Sequence, residues 1–185
     1  MDLEKTLYRP RTASEVATVT GASNEALQTW LKRKLPVGVN DIEGGGSQGR
    51  HRRFSFGNVI EIALAKTMID QAKVPAKFAF LAAGKFAHTS GGGAIMDLPY
   101  REMSMPFHHS HGDTILGISV ADGKSSEELH KPNQNYDTFG RLSRSLPSQC
   151  LVTINVSRVF GDVCSRMGLG DRDVLDTIYP NGGAL

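Results

Sequence analysis

An α+β fold is expected, helical over the first half of the chain and strand-bearing over the second. Three observations predict it. Thr12–Leu35 and Asn58–Ala83 carry apolar residues at the i, i+3, i+4 spacing of helices that face a core. Beyond residue 94, short apolar runs alternate with turn pairs such as Leu98-Pro99, Gly112-Asp113 and Asp122-Gly123. Cys150–Val159, CLVTINVSRV, is rich in β-branched residues. Ser90-Gly91-Gly92-Gly93 lies between the two characters, so the chain divides into 1–90 and a small mixed α/β region, 91–185.

The first stretch reads as two helices joined by a tight turn. Thr12 and Glu15 fit a capping box, in which a hydroxyl and a carboxylate each take a free backbone N–H. Ala13, Val16, Ala17 and Val19 form a short apolar stripe, and Gly21 stops the helix in a left-handed conformation. Ser23 caps the next helix. Leu27, Trp30, Leu31 and Leu35 face inward, which leaves Glu25, Gln28, Thr29, Lys32 and Arg33 outward. Hydrogen-bonding and cationic groups on one exposed helix face are what base edges and phosphates require.

Pro36 ends that helix. Val37–Val39 and Arg52–Phe54 are short enough to be two strands around the tip Gly44-Gly45-Gly46-Ser47-Gln48-Gly49. Such a hairpin would lay Arg50, His51, Arg52 and Arg53 beside the second helix. Ser55 then caps a helix with the apolar face Val59, Ile60, Ala63, Leu64 and Met68, and Ala76–His88 is a second apolar helix after the Val74-Pro75 break.

Charge agrees with this layout. The net charge is only +2, but residues 1–75 hold 11 Lys and Arg against 8 Asp and Glu. The cations cluster as Lys32-Arg33-Lys34 and as Arg50, Arg52, Arg53. Screening confines a surface field to about 8 Å in physiological salt, so local clusters count for more than net charge.

On these residues the stretch 12–83 resembles the MerR-type winged helix-turn-helix. The resemblance rests on the helix pair, on the wing closure Gly49-Arg50-His51-Arg52-Arg53-Phe54-Ser55, and on the following helices Asn58–Ala72 and Pro75–Ala83. Gln28 and Thr29 stand where that family often has Arg and an aromatic, and Lys34 where Gly is usual. The long coiled-coil dimerisation helix of that family is missing. The resemblance implies a cytoplasmic bacterial or phage transcription regulator that binds double-stranded DNA. Its contact set would be Thr12, Ser23, Asn24, Gln28, Thr29, Lys32, Arg33, Arg50, His51, Arg52 and Arg53. Excisionases share the winged fold and lack the long coiled coil, so a recombination directionality factor is the alternative within DNA binding. A metal- or ligand-binding sensor acting through protein contacts is the alternative of another class.

The second half is read as follows. Phe107–His111 and Thr114–Val120 form a hairpin around Gly112-Asp113, and Ser125–Leu129 is a helical turn capped by Ser125 and Glu128. Lys131–Pro147 is a loop, Cys150–Val159 is strand-prone and leads into a helix through Val163 and Met167, and 171–185 is only partly ordered. With no long dimerisation helix, self-association is expected through the C-terminal region, using Phe78, Phe80, Leu81, Phe86 and Leu151–Val159. That region is also where transcription machinery or an effector would bind.

Other chemistry is thin. With Asp113 nearby, His109 and His111 would share one face of a strand and His108 would point away; that pair is the candidate for a divalent ion but needs a further ligand from elsewhere, so no metal is expected. Cys150 and Cys164 are too far apart to chelate locally. Neither glycine run is followed by the Lys-Ser/Thr of a phosphate loop, and no nucleophile elbow occurs, so neither a cofactor nor an enzyme activity is expected. There is no signal-peptide pattern and no apolar run near about eighteen residues, so no membrane is expected.

Overall fold

The computed structural model describes residues 3–38, 42, 52–93, 97–131 and 136–182. Helices α1 (Leu3–Tyr8), α2 (Ala13–Thr20), α3 (Asn24–Lys32), α4 (Phe56–Ala72) and α5 (Ala76–His88) come first. Strands β1 (Gly91–Gly93) and β2 (Leu98–Arg101) follow, then β3 (Asp113–Ser119) and β4 (Ser125–His130). Helix α6 (Thr138–Ser145), strand β5 (Leu151–Asn155) and helices α7 (Val156–Arg166) and α8 (Asp171–Ile178) close the order. The mixed α+β class is the expected one.

Helix α4 is buried nearly all round, from Phe56 to Met68, and packs along α5 and α7. A helix this apolar belongs at the centre of a molecule, with other elements arranged around it. Around it one apolar core gathers Val16 and Val19 of α2, Leu27, Trp30 and Leu31 of α3, Phe80 and Phe86 of α5, Leu116 and Ile118 of β3, and Phe160 and Val163 of α7. The core therefore continues across residue 90. Phe56 and Phe160 meet edge to face at 6.3 Å across that line.

The main sheet has the order β4-β3-β5 and is antiparallel throughout. Its central strand buries Leu116 and Ile118 in the shared core. Gly117 points the other way, where Leu142 of α6 lies 2.8 Å from the position a Cβ would take. A side chain there would push α6 off the sheet. Strands β1 and β2 form a separate antiparallel pair. No helix among the described residues is long and apolar enough to cross a membrane.

Several elements differ from expectation, and tertiary contacts explain each. Ser125–Leu129 is strand β4, not a helical turn, and Ser125 stands opposite Ile118 of β3. Its carboxylates serve buried ion pairs instead of a cap. Glu127 takes the Arg101 guanidinium through both oxygens, and Glu128 accepts from Arg141 Nε (2.9 Å) and Tyr136 OH (3.1 Å). Phe107–His111 is not a strand. The Phe107 N–H donates to Thr114 Oγ1 at 2.8 Å, which folds the segment back on β3, and His109–His111 is a 3₁₀ turn. The hairpin is thus β3–β4. Residues 131–147 contain α6, capped by Asp137. Val156–Val159 belongs to α7, because Asn155 caps the helix there. The tail, expected to be only partly ordered, holds α8, and a further helix, α1, precedes the helix pair.

Candidate nucleic-acid interface

Local chemistry builds α2 and α3 as read from sequence. The Thr12 N–H donates to Glu15 Oε2 at 2.7 Å, and Thr12 Oγ1 accepts from the Glu15 N–H, which completes the capping box. Arg9 adds an ion pair to Glu15 at 2.6 Å, and chiefly for that reason the Glu15 carboxyl is pushed down to about 2. Gly21 turns the chain with φ 70°. Ser23 caps α3 by accepting from the Ala26 N–H at 3.0 Å.

Helix α3 then splits cleanly. Leu27, Trp30 and Leu31 are buried, and Trp30 meets Phe80 of α5 edge to face at 5.2 Å. Asn24, Glu25, Gln28, Thr29, Lys32 and Arg33 are exposed. Lys34 takes a left-handed conformation, φ 52°, at the position where a side chain is least comfortable.

The segment after α3 departs from the expected hairpin. Val37 and Gly38 form a short 3₁₀ turn and not a strand. Their N–H groups, which a ladder would have used, donate to the buried carboxylate of Glu61 at 2.5 and 3.2 Å. His88 Nε2 meets the same carboxylate at 2.9 Å, and Asn58 Nδ2 donates to Gly38 O at 3.0 Å. Gly38 has no room for a side chain: a Cβ would fall 2.5 Å from the His88 ring. The returning strand pairs elsewhere too. Phe54 exchanges backbone hydrogen bonds with Arg11 at 2.8 and 2.9 Å, and Arg11 is itself fixed by donating to Leu7 O, Arg9 O and Thr6 O.

Of the expected contact set, Arg50 and His51 lie outside the described residues, as do Val39 and the 44–49 tip. Thr12 and Ser23 use their hydroxyls as caps. Gln28 and Arg52 are brought together: Arg52 Nη1 donates to Gln28 Oε1 at 3.1 Å. Arg53 is exposed. Arg52 therefore lies against the polar face of α3.

The histidines fall differently from the expectation. His109 and His111 do not share a strand face. His109 Nε2 meets Asp176 of α8 at 2.8 Å, whereas His111 Nε2 meets Gly182 O at 2.6 Å. Phe80 and Phe86, expected to be available for self-association, are fully buried in the chain's own core, while Leu81 is exposed. The Cys164 thiol is pushed up to about 12, chiefly by burial, so it is an inert core residue.

Sequence reading missed Glu61, the residue that organises the turn after α3. The signal was present as a lone carboxylate inside the apolar run Val59–Leu64. It missed Asp176 as well, and 67 residues separate it from His109 with no local pattern to link them. Compared with known proteins, the chain matches no family model and no curated sequence.

Proposed function

We propose that the protein is a sequence-specific double-stranded-DNA-binding transcriptional regulator that presents α3 to the major groove. One observation carries the reading: the outward face Asn24, Gln28, Thr29 and Lys32, with the Arg52 guanidinium joined to Gln28 at its edge. Gln28 can pair with an adenine edge once Arg52 turns to a phosphate, and Lys32, Arg33 and Arg53 add phosphate contacts. Glu25 on the same face disfavours phosphate close to it, which helps set how the helix sits.

The test is selection of bound duplexes from a random-sequence pool, followed by titration of the enriched duplex at several salt concentrations. Arg53→Ala should weaken binding to all duplexes alike and lower the salt slope by about one unit. Gln28→Ala should reduce discrimination between the enriched duplex and its variants, with the slope kept. No enriched motif, or no salt-dependent binding at all, would sink the reading.

A second reading, a recombination directionality factor, draws support from the short α5, 13 residues long where a dimerisation helix would run on. Measured bending of the bound duplex without any change in transcription from it would favour that alternative.

A further inference from the structure

The C-terminal half holds a cluster that the DNA-binding reading does not use. His108 precedes the 3₁₀ turn, and its Nε2 lies 2.9 Å from Asp176 Oδ1. His109 Nε2 lies 2.8 Å from the same oxygen. The two rings stack at 4.2 Å, and the three ligand atoms lie within 4.8 Å of one another.

The elements carrying these groups are held by other contacts. Tyr179, just after α8, donates its hydroxyl to Pro106 O at 3.0 Å and accepts from the Glu102 N–H at 2.9 Å. Tyr179 is buried, and its ring stands edge-on to His108 at 6.2 Å. Tyr179 thus holds the end of α8 against residues 102–108, beside the two imidazoles.

We propose that His108, His109 and Asp176 form a divalent transition-metal site, with Zn²⁺ the ion of best fit, that ties α8 to the segment before β3. Tetrahedral coordination with bonds of about 2.0–2.1 Å sets ligand atoms about 3.3 Å apart. The two His–Asp separations of 2.8 and 2.9 Å open by a few tenths of an ångström to reach that spacing, and the two imidazole nitrogens, within 4.8 Å of each other, adjust to the same edge. Two imidazole nitrogens and one carboxylate oxygen suit a borderline ion, whereas Mg²⁺ and Ca²⁺ prefer oxygen throughout.

The surroundings of His108 fit as well. In the structure His108 Nδ1 accepts from the Ser110 N–H at 3.3 Å and lies 2.7 Å from Ser110 Oγ; metal at Nε2 moves the ring proton to Nδ1, where the backbone contact is given up and Ser110 Oγ accepts in its place. Three protein ligands leave a fourth position for water. His109 also lines an open cleft of about 760 Å³, which gives solvent and ions a path to the site. Neither cysteine belongs to the cluster. The site stands apart from the DNA reading, and either can fail alone.

The experiment is calorimetric titration of the full-length, EDTA-stripped protein with ZnCl₂ in a phosphine reductant, with MgCl₂ as a second probe. Cobalt(II) serves as a spectroscopic stand-in. The expected result is one Zn²⁺ per chain, no Mg²⁺ binding, and a cobalt adduct with tetrahedral d–d bands and no thiolate charge-transfer band. Asp176→Asn and His109→Ala should each weaken binding by on the order of a hundredfold, and Ser110→Ala by about tenfold. His111→Ala should bind as the wild type does. Asp176 is exposed, so Asp176→Asn keeps the test if His109→Ala fails to fold. No Zn²⁺ binding, unchanged affinity in Asp176→Asn, or a thiolate band from Cys150 would overturn the proposal.

Discussion

Glu15 links the start of α2 to Arg9 and makes that junction sensitive to acid. Its carboxylate pairs with the Arg9 guanidinium and accepts from the Thr12 N–H, and these hold its pKa at about 2 against an ordinary 4.5. The folded-state value is depressed, so the unfolded chain takes up the proton first as pH falls. The contribution is complete above the ordinary value and disappears as pH drops through 4.5 towards about 2. Denaturant unfolding of wild type and Glu15→Gln should show a stability gap near neutrality that closes in this window. A gap of constant size down to the acid limit would mean that the box holds without its charge. This junction was legible in sequence because a capping box is local: its partners are three residues apart, and no distant element is needed to form it. The same holds for Gly21, Ser23 and Ser55. Arg11 was not legible, because two of the three carbonyls it binds, Thr6 O and Leu7 O, belong to a helix, α1, that no apolar period announced.

At the level of elements, Glu61 decides the shape of the turn that leaves α3. Its carboxylate is fully buried on α4 and accepts from the N–H groups of Val37 and Gly38 while His88 meets it from α5. Glu61→Ala leaves these donors without their acceptor and should cost about 2–4 kcal/mol. Glu61→Gln keeps the volume but turns one acceptor oxygen into a donor, so it should also destabilise, by less than Ala does. Chemical denaturation of the three proteins ranks them, and equal stability of all three would show that the turn does not depend on the carboxylate. This is also where element-level reading went astray. Val37–Val39 has strand-like composition, but the N–H groups of Val37 and Gly38 are claimed by a residue 24 and 23 positions away. Ser125–His130 has poor strand composition, yet β3 supplies a ladder, and Arg101 and Arg141 take its two acids. Strand propensity depends on neighbours, and these neighbours are remote. Helix α3 was legible because its own period carried the information. Leu27, Trp30 and Leu31 went inside and Gln28, Thr29 and Lys32 stayed outside.

For the molecule as a whole, the issue is whether α3 can hold its form without the C-terminal half. Helix α7 packs on α2 and α4: Phe160 meets Phe56, Val163 lies in the shared core, and Arg166 Nη1 donates to Val19 O at 3.2 Å. Val19 belongs to α2, which in turn packs on α3. Removing the Phe160 ring should therefore weaken the whole core by about 3–5 kcal/mol, and the loss should be felt as far as α3. The chain carries one tryptophan, Trp30, buried at the α3–α5 contact, so its fluorescence reports on that contact while far-UV circular dichroism averages over every helix. In a single cooperative unit the two signals trace one transition. Both should shift together to lower denaturant in Phe160→Ala. A Trp30 transition that stays put while the dichroism shifts would mean that residues 1–90 unfold independently, and that the core spanning residue 90 is a contact between two units and not one core.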